Sequence, residues 1–257
     1  MRKILRKALD ALALEVFRRA PSHVRTLTLH SVVHTGQAMR FLVNNPRDAV
    51  QSHHAHGRLY EPEECAIMDA HFPGGVFVDV GANVGNHTVY FGCKARTARV
   101  IAFEPNLLVQ PLLAANVDYN RLGEKVELHR FALSDTAGEI ELAIPAHNMG
   151  AASFSGTRDA RKAQRTVPSS RRRGDDVASL RRIDFLKIDV EGHEAECLEG
   201  LRQTIKANLP PVFIEVAQID RPRIEALLFS FGYALTAEHA RYAGSTNLLF
   251  THPQRGA

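Results

Sequence analysis

Five short apolar runs rich in β-branched residues recur along the chain: VFVDV (76–80), RVIAFE (99–104), KVELHRF (125–131), DFLKIDV (184–190) and PVFIEV (211–216). Most are nearly continuous rather than alternating, the pattern of strands buried on both faces. Most connections between them are long and helical enough for crossovers, so the pattern predicts a doubly wound α/β domain on a parallel sheet. Two final runs, YALT (233–236) and NLLF (247–250), have little helical pattern between them and predict a closing hairpin. Upstream, RTLTLH (25–30) and AMRFLV (38–43) flank Gly36 and predict an antiparallel pair in front of the main fold. Tyr60-Glu61-Pro62-Glu63-Glu64 supplies the proline and acids of a first helical turn, and the helix runs towards His71 before Pro73-Gly74-Gly75 stops it.

The first twenty residues place Ile4, Leu5, Ala8, Leu9, Leu12 and Val16 on one side of a helix. Arg6, Lys7, Asp10 and Glu15 interrupt the apolar run, which argues against a signal peptide or a membrane span. A helix packed on its own domain is expected, with peripheral membrane contact as the alternative.

Composition narrows the class. With 257 residues, 45% of them hydrophobic, the chain can bury one large core or two small ones and is no disordered or collagen-like polymer. Cys65, Cys93 and Cys197 are scattered and odd in number, which suits neither a disulfide framework nor a metal knuckle and points to a reducing, cytoplasmic compartment. The formal charge of +4 conceals a segregation. Residues 158–173 hold seven basic side chains against one acid, whereas residues 184–199 hold six acids against Lys187. The basic stretch, with little apolar content, reads as a loop over the functional end of the sheet: either a solvated charge run or a clamp for an anionic acceptor. A single neighbouring aromatic, Phe154, argues against a nucleic-acid partner that stacks its bases.

The most informative segment is FVDVGANVGNHTVYF (77–91). A buried strand ends at Asp79-Val80, Gly81 and Gly85 permit a tight turn, and a helix begins near His87 with its free N–H groups towards the loop. Such a loop suits a nucleotide-like ligand. It matches neither GxxxxGK[ST] nor GxGxxG, which favours a cofactor without phosphates over a triphosphate or NAD. Glu104 ends the second strand, 23 residues beyond Gly81, where a carboxylate can accept from both ribose hydroxyls.

Together with YEPEE (60–64), VIAFEPN (100–106), FALSD (131–135), the Asp175-Asp176 pair, FLKIDVEGHE (185–194), AECLEGL (195–201) and VFIEV (212–216), this loop carries a resemblance. From about Tyr60 to Phe250 the chain resembles the FkbM-type S-adenosylmethionine-dependent methyltransferase family. The resemblance implies a Rossmann-like class I methyltransferase fold, a mostly parallel seven-stranded sheet with an antiparallel last strand. Residues 1–59 would form an accessory helix and hairpin, and residues 60–257 the methyltransferase domain with a basic insertion at 155–174. Asp79, Gly81, Asn83 and Gly85 would surround the methionine part of S-adenosylmethionine, Asp79 near its amino group, with Asn86 and Asp189 beside them. Glu104 would hold the ribose, Asn106, Phe131, Ala132 and Asp135 would border ribose and adenine, and Glu61 would stand at the cofactor entrance.

LKIDVEGHEAE sets Lys187, Asp189, Glu191, His193 and Glu194 where a core strand gives way to a helix, at the ligand-binding end of such a sheet. Methyl transfer to a hydroxyl needs an aligned acceptor and a group to take its proton. His193 reads as that base, oriented by Asp189 or Glu191, with a carboxylate as the alternative; Lys187 either pairs with Asp189 or shares in catalysis. A divalent metal held by Asp189, Glu191 and Glu215 is a rival account. His193-Glu194 is no HExxH site, because Cys197 stands at the second histidine's position, and His53, His54 and His56 read as a flexible segment. The expected function is O-methylation of a sugar, glycolipid or small secondary metabolite, with an anionic acceptor favoured by the basic stretch. An RNA or protein methyltransferase and a non-catalytic nucleotide-binding module are the alternatives.

Overall fold

The computed structural model describes residues 27–145, 153–154 and 163–256. The helix expected over the first twenty residues, and Arg158, Arg161 and Lys162 of the basic stretch, lie outside the described residues.

The upstream pair is a hairpin of β1 (Thr28–His34) and β2 (Gln37–Val43). Its two-residue turn, Thr35-Gly36, takes φ of 48° and 80°, the positive values that match strand twist in a tight hairpin. Helix α1 (Ala49–Ala55) follows, its N-terminus capped by the Asp48 carboxylate, which accepts from the Val50 and Gln51 amides at 3.2 and 3.1 Å. Helix α2 (Pro62–His71) starts at the expected proline.

The alternating region runs β3 (Gly75–Val80), α3 (Asn86–Gly92), β4 (Thr97–Phe103), α4 (Gln110–Tyr119) and β5 (Val126–His129). It resumes with β10 (Phe185–Ile188), α5 (Glu194–Gly200), α6 (Arg202–Asn208), β11 (Val212–Ala217), α7 (Arg221–Ser230), β12 (Ala234–His239) and β13 (Ser245–Thr251). These seven strands form one sheet in the order β12-β13-β11-β10-β3-β4-β5, and β13 alone runs antiparallel to its neighbours. This is the class I methyltransferase arrangement. The chain direction across the sheet reverses between β10 and β3, and that switch point opens a crevice at the strands' carboxyl ends.

Alternate strand residues feed two cores. Val78, Val80, Ile101, Leu186, Ile188 and Ile214 pack on α5 and α7, whereas Phe77, Val100, Phe185 and Phe213 pack on the other face with Phe72 and Phe91. Phe77 stacks on Phe91 and Phe185 with centroids 3.8 and 5.3 Å apart. The hairpin shares the second core through Val32, Met39 and Phe41. Two asparagines, Asn116 on α4 and Asn120 capping that helix's end, act as the hairpin's next strand. Asn116 accepts from the Leu42 amide at 2.7 Å, and Asn120 both accepts from the Arg40 amide and donates to the Arg40 carbonyl, at 2.9 and 2.7 Å. A sheet edge that would otherwise present bare backbone is thereby paired.

The basic stretch departs from expectation. Instead of a loop, Ala163–Arg173 is strand β9, in a second sheet ordered β6-β9-β7-β8 with β6 (Ala132–Ser134), β7 (Gly138–Pro145) and β8 (Ser153–Phe154). Low apolar content misleads here, because β9 is held by backbone ladders to β7 and β6 and leaves most of its described side chains at least partly exposed. Among the described residues no helix is long and apolar enough to cross a membrane.

Candidate active site

Strand β3 delivers the chain to the crevice at Val80, and the next turn is possible only because of Gly81. Its φ is +81°, and a Cβ there would collide with the Asp189 carbonyl oxygen. The Gly81 and Ala82 amides both donate to the Phe103 carbonyl at 3.0 Å, which ties the loop to β4. Gly85 (φ +92°) begins α3, where a Cβ would press on Leu113.

Beneath this loop the parallel register sets Lys187 of β10 beside Asp79 of β3. Both are buried, with Lys187 Nζ 3.1 Å from Asp79 Oδ1, 2.9 Å from the Gly81 carbonyl oxygen and 3.6 Å from Asp189 Oδ2. Thr88 donates to Asp79 Oδ2 at 2.6 Å. Burial works against both charges, yet their mutual attraction holds the Asp79 carboxyl below its ordinary range and the Lys187 ammonium above its own. Asp79 and Lys187 thus brace the glycine loop from below and do not form the cavity wall.

Glu104, at the end of β4, does face the cavity. Its two oxygens accept from the Asn83 and Asn106 amides at 2.7 Å each, so the carboxylate is pinned with its remaining lone pairs available. Burial, only partly offset by those two amides, raises its pKa to about 7.

The cavity, of about 500 Å³, is walled by Gly81, Asn83, Phe103, Glu104 and Pro105 on one side, with Ala132, Leu133 and Leu142 from the second sheet. Tyr60, Glu61, Asp189, Glu191, His193, Glu215, Arg241 and Tyr242 also line it, with His53 from α1. Most residues anticipated for the site therefore meet. Others serve as support. Asn86 bonds both backbone groups of Tyr60 and also His54 Nε2. Asn106 buttresses Glu104, Phe131 lies under the Arg172 guanidinium, and Asp135 is exposed beyond Ser134.

Glu61 sits in the left-handed region (φ +53°) just before α2, accepts from the Tyr242 hydroxyl at 3.3 Å and lies 3.5 Å from His87 Nε2. Burial first, then the charges of Asp189, Glu64 and Glu215, push its pKa up to about 8. Glu215 accepts from Ser245 Oγ at 2.7 Å and rises to about 7 through burial and the nearby Asp189. Glu194, also raised to about 7 by burial, turns back to accept from the Gly192 amide at 3.0 Å.

His193 precedes α5 and is buried. Its Nε2 is 3.0 Å from Ser134 Oγ, and Ser134 donates to Asp135. The serine oxygen therefore accepts from His193 Nε2, which puts the imidazole's basic lone pair on Nδ1, 3.6 Å from Glu196. Burial lowers the His193 pKa despite Glu196. Its orienting neighbours in the described geometry include Ser134 and Glu196, which the sequence did not suggest.

The divalent-metal expectation finds no support in the geometry. Asp189, Glu191 and Glu215 border one cavity, but Glu215 is turned to Ser245 and Asp189 to Lys187. Among the described residues no three His, Cys, Asp or Glu side chains could hold a metal ion. Nor is the histidine run a flexible segment, since His54 is buried, stacked on Phe41 at 3.9 Å and bonded to Asn86. The reading along the sequence missed Tyr242 and Arg241, which only the antiparallel return of β13 brings against Tyr60. Tyr60 itself, beside Glu61 in YEPEE, was open to notice.

Comparison with known proteins places this geometry in context. The family model described as "Methyltransferase FkbM domain" matches residues 79–235. Methyltransferase sdnD of Sordaria araneosa is 28% identical over 68% of this chain and 80% of its own length. Hexuronic acid methyltransferase AglP of Haloferax volcanii is 30% identical over 60% of this chain and 61% of its own. A solved structure of methyltransferase FkbM from Methylobacillus flagellatus superposes with a TM-score of 0.46 at 19% identity, covering 69% of this chain and 43% of that one.

Proposed function

Since the chain belongs to the FkbM methyltransferase family, we propose that it uses S-adenosylmethionine to methylate a hydroxyl oxygen of a sugar, a glycolipid or a small secondary metabolite. The observation that carries this reading is the pinned Glu104 carboxylate facing a cavity beside a phosphate-free glycine loop. The residues fit the cofactor. Glu104 offers free lone pairs for two vicinal ribose hydroxyls, and the buried Oδ1 of Asn83, on the same wall, makes no hydrogen bond within the described protein. Asn83 and Gly81 would hold the methionine part and Ala132 and Leu133 the adenosine part, with Asp79 acting through Lys187 to keep the loop in place. When bound, the cofactor supplies an electrophilic methyl group whose departing thioether needs no acid.

The chain's own task is to orient the acceptor hydroxyl and accept its proton. His193 Nδ1 is the base in this reading, because the bond to Ser134 fixes the ring and Glu196 stabilises the imidazolium that forms. Glu215 provides the second reading of the base, since it borders the cavity with a pKa near neutrality, about 7.

Calorimetry with S-adenosylhomocysteine, NAD and ATP tests the cofactor class: only the first should bind, and failure to bind it sinks the proposal. With labelled S-adenosylmethionine and fractions of cellular glycans, lipids and metabolites, His193→Ala should lower turnover roughly 100-fold or more while leaving S-adenosylhomocysteine affinity nearly unchanged. Equal turnover in the variant would move the base to Glu215.

A further inference from the structure

The cofactor reading uses one side of the cavity and leaves the other, walled by Tyr60, Glu61, Asp189, Glu191, Glu215 and Tyr242, without an occupant. We infer, resting on that reading, that this side is an acceptor subsite for an uncharged polyhydroxylated ring such as a glycosyl unit, and that it rejects anionic acceptors.

A carboxylate accepts from a hydroxyl and a carboxyl group donates to one, so a ligand whose polar groups are hydroxyls satisfies these acids in either protonation state. Two of these carboxylates already show the preference: Glu61 meets the Tyr242 hydroxyl and Glu215 the Ser245 hydroxyl, at 3.3 and 2.7 Å. A ring with several hydroxyls extends the same kind of contact. Tyr60 and Tyr242, joined hydroxyl to hydroxyl at 2.8 Å, add aromatic surface at the cavity wall, against which the C–H face of a pyranose packs.

The charges exclude the alternatives. Among the described residues lining the cavity, Arg241 is the one lysine or arginine, and its Nη1 is committed to Glu63 and Glu64 at 3.0 and 3.1 Å. Lys187 is held behind the wall by Asp79 and the Gly81 carbonyl. Of the described arginines of β9, Arg172 lies over Phe131 and Arg173 pairs with Asp175, and none of Arg165, Arg171, Arg172 and Arg173 is among the residues lining the cavity, Arg171 acting on it only through its charge beside His193. A carboxylate or phosphate entering this side would add to the crowding of acids that already raises Glu61 and Glu215, and among the described residues lining the cavity it would meet no lysine or arginine but Arg241. An amine would be attracted, but the same acids would keep it protonated and without the lone pair that takes a methyl group. On this inference the described part of the basic stretch lends an anionic acceptor no lining guanidinium, and a hexuronic acid would be a poor fit here.

The test is calorimetric titration, at neutral pH and with S-adenosylhomocysteine saturating, of matched methyl pyranosides: neutral hexosides and pentosides, their uronates, their 6-phosphates and an amino sugar. At least one neutral glycoside should bind saturably, and its uronate or phosphate counterpart about tenfold more weakly or worse. Glu215→Gln and Tyr242→Ala should each weaken the neutral ligand about fivefold or more with S-adenosylhomocysteine affinity retained. Tyr242 lies on an exposed loop, so its variant remains informative if Glu215→Gln folds poorly. Tighter binding of the uronate, phosphate or amino sugar, or no binding of any neutral glycoside, overturns the inference. Failure of S-adenosylhomocysteine itself to bind is the separate result that removes the methyl-transfer reading beneath it.

Discussion

A lysine in the middle of a buried parallel strand demands a compensating partner, and Lys187 finds one in Asp79 across the register. Removing one member of such a pair strands the other charge, whereas removing both does not. Lys187→Met should therefore lower unfolding free energy by roughly 3–5 kcal/mol, and Lys187→Met combined with Asp79→Asn should recover much of that loss, as read by urea denaturation. No recovery in the double variant would mean that the bond to the Gly81 carbonyl, and not charge pairing, is what Lys187 contributes. Residues in one contiguous motif were legible at this scale: Gly81 and Asn83 lie within a few positions of one another, so local geometry alone delivers them to the same wall. The division of labour between wall and support was not. Asp79, Asn86 and Asn106 differ from Asn83 and Glu104 only in where their side chains turn after folding.

Elements pack here at distances that propensity does not foresee. Gly200 ends α5, and a Cβ there would collide with the Ser134 carbonyl oxygen of β6, so the helix lies directly on the backbone of the second sheet. Helix propensity alone predicts that Gly200→Ala stabilises by about 1 kcal/mol; the contact predicts destabilisation of roughly 1–3 kcal/mol. The sign of the shift in the urea midpoint decides between them. Because Ser134 also holds His193, the same substitution should reduce turnover. A second element-scale prediction concerns Asn116, which joins the hairpin to the glycine loop by bonding the Leu42 amide and the Val84 carbonyl, each at 2.7 Å. Asn116→Ala leaves two buried backbone groups without partners and should destabilise by roughly 2–4 kcal/mol, with faster amide exchange at Leu42. The seven strands of the main sheet were legible because apolar runs of that length have few other uses. Strand β9 was not, because its pairing depends on backbone groups that carry no side-chain signature.

For the whole molecule, buried titratable groups set a pH profile with two limbs. Glu61, Glu104, Glu194 and Glu215 rise from 4.5 to between about 7 and about 8, chiefly through burial. A group with a raised folded pKa gives stability that is complete below its unfolded value and is lost as pH climbs through the folded one. These four therefore weaken the fold between pH 4.5 and about 8. His54, His87 and His129 fall from 6.5 to about 4, 3 and 4, again chiefly through burial. Their contribution is complete above 6.5 and is lost as pH falls towards those values. Of these seven groups only the carboxyls act above 6.5 and only the histidines below 4.5, where the depressed Asp79 adds a loss of the same sign below 3.8, so the urea midpoint should peak between 4.5 and 6.5 and fall on either side. A midpoint that rises steadily from pH 6.5 to 8 would contradict this account. Bound cofactor, by engaging Glu104 as a carboxylate, should flatten the alkaline limb.

What the amino-acid sequence determined by itself is what short range can encode: strand and helix periodicity, the glycine turn, the carboxylate ending the second strand, and hence the α/β class and the side of the cavity proposed for the cofactor. Tertiary structure alone assembled the side proposed for the acceptor. Tyr60, Glu215 and Tyr242 come together only because the sheet reverses direction and β13 returns antiparallel. It also decided the fate of the charges. Seven basic residues in a row of sixteen look like an anion site when read in line, but a surface charge is screened beyond about 8–10 Å in space. Folding set the described arginines of that row along strand β9 and outside the cavity's lining, and left the proposed acceptor side to acids and tyrosines.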